Sequence, residues 1–225
     1  MAEPVDVTVV GAGPAGIAAA ARAAEEGLAV RLLDEQPAPG GQVWRAAERV
    51  LDEESGLDVL RSSYAAAGPA LAALRATSVR HHQGATLVDV SPDLELSWLQ
   101  RREDGTYGVE TATTRTLVLA TGAMERPVPF AGWTLPGVMG VGALQTALKT
   151  GGLVPAGDGL VLAGQGPLLL LYLAQLEAVG ARPRAVLDIG AATAPLAALP
   201  SAPAAWAGAP HLMIRGIRLL AQRAL

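Results

Sequence analysis

Gly11, Gly13 and Gly16 stand in the spacing Gly-x-Gly-x-x-Gly within Asp6-Val-Thr-Val-Val-Gly-Ala-Gly-Pro-Ala-Gly16, and the chemistry that spacing serves is the binding of a pyrophosphate. Gly11 allows a tight turn, Gly13 lets backbone come close to phosphate oxygens, and Gly16 lets a helix pack tightly on the preceding strand. Pro14 and Ala15 complete the turn, with Pro14 at the opening of the helix, where its missing N–H costs nothing. The unpaired N–H groups and the positive dipole end of that helix then face the anion. Asp34 lies 18 residues beyond Gly16 at the end of the next apolar run, where it can bind a ribose 2′-hydroxyl, and Glu35 stands beside it. Strand, glycine turn, capped helix, strand and terminal acid, in that order, form a dinucleotide cradle.

Two further glycine stretches belong to the same chemistry. Glu35-Gln-Pro-Ala-Pro-Gly-Gly-Gln-Val-Trp44 follows the acid directly. Its prolines stiffen the loop, and Gly40, Gly41 and Gln42 form a second point at which backbone approaches a ligand. Trp44 either borders that ligand or plugs an edge of the core. Thr116-Leu-Val-Leu-Ala-Thr-Gly122 reads as a buried parallel strand whose last residues, Ala120, Thr121 and Gly122, reach the crevice where α/β sheets bind cofactors.

The opening pattern then recurs. Gly11 to Gly27 and Gly164 to Gly180 span the same number of residues, each copy contains Gly-x-Gly-Pro, and each runs on to a strand ending in an acid, Asp34 or Asp188. Gly164, Gly166 and Asp188 therefore mark a second nucleotide site. Leu169 stands where Gly16 stands in the first copy, and a leucine there pushes the helix away from the strand. If a nucleotide binds at this degraded site, Asp188 favours NAD over NADP, because a carboxylate repels a 2′-phosphate.

Other chemistries find little support. The absence of cysteine excludes disulfides, thiolate metal sites, iron–sulfur ligation and a dithiol relay within the chain. His81 and His82 have no second ligand cluster nearby, so no metal site is assigned. No Ser-His-Asp arrangement or acid–base pair stands out, the catalytic residues are unknown, and Glu125 with Arg126 reads as a surface ion pair. A net charge of -4 without a Lys/Arg cluster argues against nucleic acid as a partner. The start, Met-Ala-Glu-Pro-Val-Asp, has neither a basic nor an apolar leader region, which gives a cytoplasmic location. The most apolar run, Leu168 to Ala174, is too short to span a membrane.

These residues need elements to hold them. Apolar Val5 to Val10 is a strand covered on both faces, Pro14 to Glu26 an alanine-rich helix closed by Gly27, and Leu28 to Leu33 the next strand. Ala46 to Thr77 is largely helical. Four strands, Ser78 to His82, Thr86 to Val90, Glu95 to Gln100 and Tyr107 to Ala112, form a small antiparallel insert. The proline- and glycine-rich Ala123 to Gly132 is a crossing between domains, and His211 to Leu225 is a surface helix. The fold class is α/β: a Rossmann-like domain over 1–132 with a small antiparallel β insert, then an incomplete second Rossmann-like domain over 133–225.

The duplicated motif, Gly40-Gly41-Gln42 and Ala120-Thr121-Gly122 together resemble the flavoproteins with two dinucleotide-binding domains, broadly the glutathione- and thioredoxin-reductase-like fold. Leu33-Asp-Glu-Gln-Pro-Ala-Pro-Gly-Gly-Gln-Val-Trp-Arg45, Leu119-Ala-Thr-Gly-Ala-Met-Glu-Arg-Pro-Val-Pro-Phe130 and Gly132-Trp-Thr-Leu-Pro-Gly-Val-Met-Gly140 are similar to a narrower group. That group holds the FAD-binding alpha subunits of opine oxidases, D-hydroxyproline dehydrogenase and hydrogen cyanide synthase, and the nucleotide-binding part of the sarcosine oxidase alpha subunit. The resemblance implies FAD at the first cradle and an oxidoreductase subunit of an amino-acid or opine dehydrogenase complex. It implies as partners a small iron–sulfur subunit and a substrate-oxidising flavoprotein subunit. Members of the group continue past the position of Leu225, so the chain reads as a fragment, a truncated product or one half of a split subunit. Two other readings stay open: a noncatalytic FAD-binding or scaffolding subunit, and an NAD-dependent dehydrogenase.

Overall fold

The apolar Val5–Val10 run forms strand β1, which leads through the glycine turn into helix α1 (Pro14–Glu25) and back along β2 (Val30–Asp34). The computed structural model describes residues 3–51, 58–156 and 159–189, and the chain divides into two compact units, Met1–Met124 and Glu125–Leu225. The expected helix over His211 to Leu225 lies outside the described residues. In the first unit, α2 (Ala47–Leu51), α3 (Asp58–Arg61), a 3-10 turn (Ser62–Tyr64) and α4 (Ala67–Arg75) follow β2. Strands β3 (Arg80–Gln83), β4 (Ala85–Val90), β5 (Glu95–Arg101) and β6 (Tyr107–Leu119) complete it.

These strands make one six-stranded sheet in the order β3-β2-β1-β6-β5-β4. Strands β3, β2, β1 and the C-terminal part of β6 run parallel, and β4 and β5 pair antiparallel with each other and with the N-terminal part of β6. The α/β Rossmann-like expectation holds, with three corrections to its strands. The strand expected from Ser78 to His82 is not part of the antiparallel insert: β3 pairs in parallel with β2, Arg31 opposite Arg80 and Asp34 opposite Gln83. The strands expected at Tyr107 to Ala112 and from Thr116 are a single strand. Up to Thr113 it pairs with β5, and from Thr114 onward it pairs with β1. Its last residues are also less buried than an inner parallel strand would be, with Leu119 66% exposed. β5 has left the ladder before that point, so the far edge of Thr116–Leu119 has no neighbouring strand among the described residues.

The core of the sheet gathers Val10, Leu33, Ala85, Leu96, Trp98 and Ala112. Trp98 is its largest member, wholly buried, and forms a T-shaped contact with His82 at 5.6 Å between ring centroids. The guanidinium carbon of the buried Arg31 lies 5.3 Å from the Trp98 ring centroid, a cation–π contact out of water. α1 buries Gly16, Ile17, Ala20 and Ala21, and the small Gly16, Ala20 and Ala21 let helix and strands come close.

The second unit holds α5 (Val141–Gly151), β7 (Val161–Gly164), α6 (Pro167–Ala178) and β8 (Ala185–Asp188), with β7 and β8 parallel. This is the expected strand–helix–strand repeat. α6 buries Leu169, Tyr172, Leu173 and Leu176.

Trp98→Ala should cost about 3–5 kcal/mol in chemical denaturation, because it empties the centre of the core and strips the Arg31 guanidinium of its ring. Burial holds the imidazoles of His81 and His82 below the ordinary histidine range; Asp34 opposes this at His81, and Arg31 adds to it at His82. Below about pH 6.5 the unfolded chain therefore binds protons that the folded chain refuses. The stability of the neutral imidazoles is fully present above that pH and is lost as pH falls toward the lowered folded values. Melting temperatures measured from pH 8 to pH 5 should fall below about pH 6.5, and the fall should be shallower in His82→Gln.

Candidate functional site

The glycine turn brings three stretches of backbone together at the C-terminal ends of parallel strands. Gly11, with φ +99°, turns the chain out of β1, and its N–H donates to the Leu33 carbonyl of β2 at 2.8 Å. A β-carbon at Gly11 would stand 2.4 Å from the Ala120 carbonyl oxygen, and one at Gly16 would stand 1.8 Å from the Gly11 carbonyl oxygen. Those gaps have no room for a side chain. Ala120 is fastened to the turn from the other direction, its N–H donating to the Val10 carbonyl at 2.8 Å. Thr121 and Gly122 continue from it, exposed, with Gly122 at φ +76°.

The loop after β2 closes the third side. Gly40 donates its N–H to the Ala12 carbonyl at 2.7 Å, and a β-carbon at Gly41 would stand 2.8 Å from the Gly13 α-carbon. Trp44 donates its N–H to the Gly40 carbonyl at 2.9 Å and is half-buried. Gln42 is exposed beside Gly41. Helix α1 begins at Pro14 with Gly13 as its N-cap, without a side-chain cap bond and without an acid in its first turn. The helix brings no acid of its own to the junction, where the Asp34 carboxylate takes the Ala12 N–H, and its positive end is a fitting mouth for a phosphate.

The residues expected to form the first site are therefore neighbours: Gly11, Gly13, Pro14, Ala15 and Gly16 on the turn, Asp34 and Glu35 at the end of β2, Gly40, Gly41 and Gln42 on the returning loop, and Ala120 and Thr121 against Gly11. Two members of the junction carried no sequence signal. Ala12 has both backbone groups engaged, its N–H by the Asp34 carboxylate and its carbonyl by Gly40. Gln36 donates its N–H to Asp34 Oδ1 at 2.7 Å, and its own side-chain oxygen accepts from Arg45. A cleft of about 380 Å3 opens beside this loop, lined by Pro37, Pro39, Thr77, His81 and Gln83 among others.

The second copy is built differently at the same points. Among the described residues a β-carbon at Gly164 or Gly166 would meet nothing within 4 Å, and the helix N-cap Gly166 sits at φ +93° where Gly13 sits at -76°. Asp188 is exposed at the end of β8. Glu125 does not form the expected pair with Arg126; its carboxylate accepts the Gly142 N–H at 3.0 Å in the first turn of α5.

The family model described as pyridine nucleotide-disulphide oxidoreductase matches residues 5–162. The chain belongs to that family. It is one of FAD-dependent oxidoreductases. An opine oxidase subunit of Rhizobium meliloti (strain 1021) is 43% identical over 216 residues, 96% of this chain and 45% of that protein. Hydrogen cyanide synthase subunit HcnB of Pseudomonas protegens is 35% identical over 218 residues, 95% of this chain and 44% of that protein. The chain thus spans a little under half the length of these curated relatives. Its fold is similar to that of L-proline dehydrogenase from P. horikoshii, with a TM-score of 0.62 and 22% identity over 83% of this chain and 35% of that chain. Among the described residues no helix is long and apolar enough to cross a membrane.

Gly16→Ala should force α1 off the turn, costing about 1–3 kcal/mol by overpacking. It should also weaken FAD binding at least tenfold, read by flavin fluorescence titration, since 1.4 kcal/mol of misplaced contact suffices for that factor. Gly27→Ala, at the far end of α1 with φ +81° and open space around it, should lower the melting temperature while leaving FAD affinity unchanged.

Proposed function

We propose that this chain is the FAD- and nucleotide-binding part of a subunit in an amino-acid or opine dehydrogenase complex. The observation that carries the reading is the junction at the N-terminus of α1, where three backbone segments meet with glycine at each closest approach and the first turn of the helix carries no acid. Gly11, Gly13, Pro14, Ala15 and Gly16 would hold the pyrophosphate through backbone N–H groups. Gly40, Gly41 and Gln42 would close over it, and Ala120, Thr121 and Gly122 would flank the path toward the flavin. The acids at the end of β2 would take the ribose, and the adjoining cleft has room for a base. When bound, FAD supplies the acceptance and onward release of electrons. The chain's own contribution is to bind and orient it.

The relatives' names support an assembly of several polypeptides, each relative being called a subunit. In this reading a substrate-oxidising flavoprotein subunit hands electrons to this one. These 225 residues hold no cysteine and so supply no thiolate ligand to an iron–sulfur cluster of the assembly. The open turn at Gly164 and Gly166, with Asp188 beyond it, is the candidate NAD site of the same subunit.

Purified full-length chain reconstituted with FAD should be yellow, and an FAD concentration about a hundred times the dissociation constant should stabilise it by about 2.7 kcal/mol. With its partner subunit supplied, the flavin should bleach on addition of an amino-acid or opine donor. A colourless protein whose melting temperature ignores FAD overturns the reading, and a response to NAD alone favours an NAD-dependent dehydrogenase. A yellow protein that no donor or partner reduces points to a noncatalytic scaffold.

A further inference from the structure

The loop that carries Gly40 and Gly41 across the glycine turn is built as a strap. It leaves β2 at Gln36 and reaches α2 just after Arg45, and its two ends are tied to each other, the Gln36 side-chain oxygen accepting from the Arg45 guanidinium. The ends are also fastened to the body of the unit. The Gln36 N–H donates to Asp34 Oδ1 at 2.7 Å, and the Arg45 carbonyl accepts the hydroxyl of the wholly buried Tyr64 at 2.8 Å. Between the ends the strap meets the turn through backbone. The Gly40 N–H donates to the Ala12 carbonyl at 2.7 Å, and a β-carbon at Gly41 would stand 2.8 Å from the Gly13 α-carbon. Pro37, Ala38, Gln42 and Val43 are exposed, so little apolar burial holds the middle of the strap down.

The end of the strap at α2 is strained. Ala46 lies at φ +54°, a conformation that an alanine, unlike a glycine, takes only under constraint. The constraint comes from both sides, Tyr64 on the Arg45 carbonyl before it and the Val50 N–H on its own carbonyl at 3.0 Å after it. The closed strap is therefore held by contacts against a local preference of its backbone. A dinucleotide is wide at its two ends and thin at its pyrophosphate, and the thin part belongs where Gly41 meets Gly13. A ligand of that shape cannot be pushed endwise beneath a closed strap.

We propose that Gln36 and Arg45 are the latch of this strap, that Tyr64 holds the latch in place, and that the latch sets how fast the dinucleotide enters and leaves. This rests on the FAD reading above. Gln36 and Arg45 are positioning residues, acting on the ligand through the backbone of Gly40 and Gly41.

Arg45→Met keeps most of the side-chain stem and removes the donor. In the ligand-free full chain it should speed hydrogen exchange at the Gly40 amide by about tenfold, the worth of one hydrogen bond from a charged group. The Gly11 amide, bonded to the Leu33 carbonyl, should keep its rate. Stopped-flow fluorescence then follows FAD. In the wild type the observed binding rate should level off as FAD rises, because opening of the strap limits it. In Arg45→Met that plateau and the release rate should both rise about tenfold, so the dissociation constant moves less than either. Arg45→Lys restores a donor and should bring both rates back toward wild type. Gln36→Ala should match Arg45→Met, and the double variant should be no faster than either single one. An unchanged Gly40 rate overturns the inference. Equal speeding of Gly40 and Gly11 does so too, because it marks general loosening, and so does faster release without faster entry. If Arg45→Met does not fold, Gln36→Ala supplies the same measurements from the other side of the latch. Failure of the wild type to bind FAD sinks the flavin reading and the rate-setting role with it, and the comparison of Gly40 with Gly11 then decides the latch.

Discussion

The site depends on one contact, the seating of the first turn of α1 on the carbonyl of Gly11. A β-carbon at Gly16 would lie 1.8 Å from that oxygen, so the helix comes as near the strand as two backbones allow. Its free N–H groups are thereby brought to the carboxyl end of β1, the one place where the loops after β1, β2 and β6 can meet. The parallel pairing of these three strands makes the meeting unavoidable, since their carboxyl ends fall on the same side of the sheet. Glycines at Gly11 and Gly41 then let the neighbouring backbones close in from two further directions. The cradle is a property of backbone packing first and of side-chain chemistry second.

That ordering explains what could be read from the chain. Each step of Gly11 to Asp34 has a local physical requirement, a turn at positive φ, a proline at the first helical position, a glycine after the last turn, so residue types alone mark it, and the elements lie within two residues of their expected bounds. The strands after α4 were legible only as strands. Alternation shows that Arg80–Gln83 is extended, but its neighbour is chosen by where α4 returns the chain, and that is beside β2. β6 was harder still. It changes partner between Thr113 and Thr114 without a glycine or proline to mark the change, because a continuous strand can pair with one neighbour and then another at no local cost. Asp34 is the instructive case within the site. Its type and spacing are visible in sequence, and its orientation is not, since that depends on the position of a backbone amide 22 residues earlier.

The second copy shows the same dependence from the other side. α6 follows β7 with the same spacing, begins with the same proline, and ends before a glycine at φ +78° that matches Gly27 at φ +81°. What differs is the residue at the close contact. Leu169 is buried among the apolar residues of α6, so a position that brings helix and turn together in the first copy serves in the second to fill core. A β-carbon at Gly164 or Gly166 would meet no other atom among the described residues, and the helix N-cap adopts a left-handed φ instead of an extended one. Strand–helix–strand packing tolerates that exchange because side-chain volume can replace backbone proximity. A pyrophosphate is more demanding, because it is held by N–H groups whose positions that proximity sets. The repeat therefore keeps the architecture of a nucleotide-binding domain while the closeness that makes a cradle is confined to the first copy.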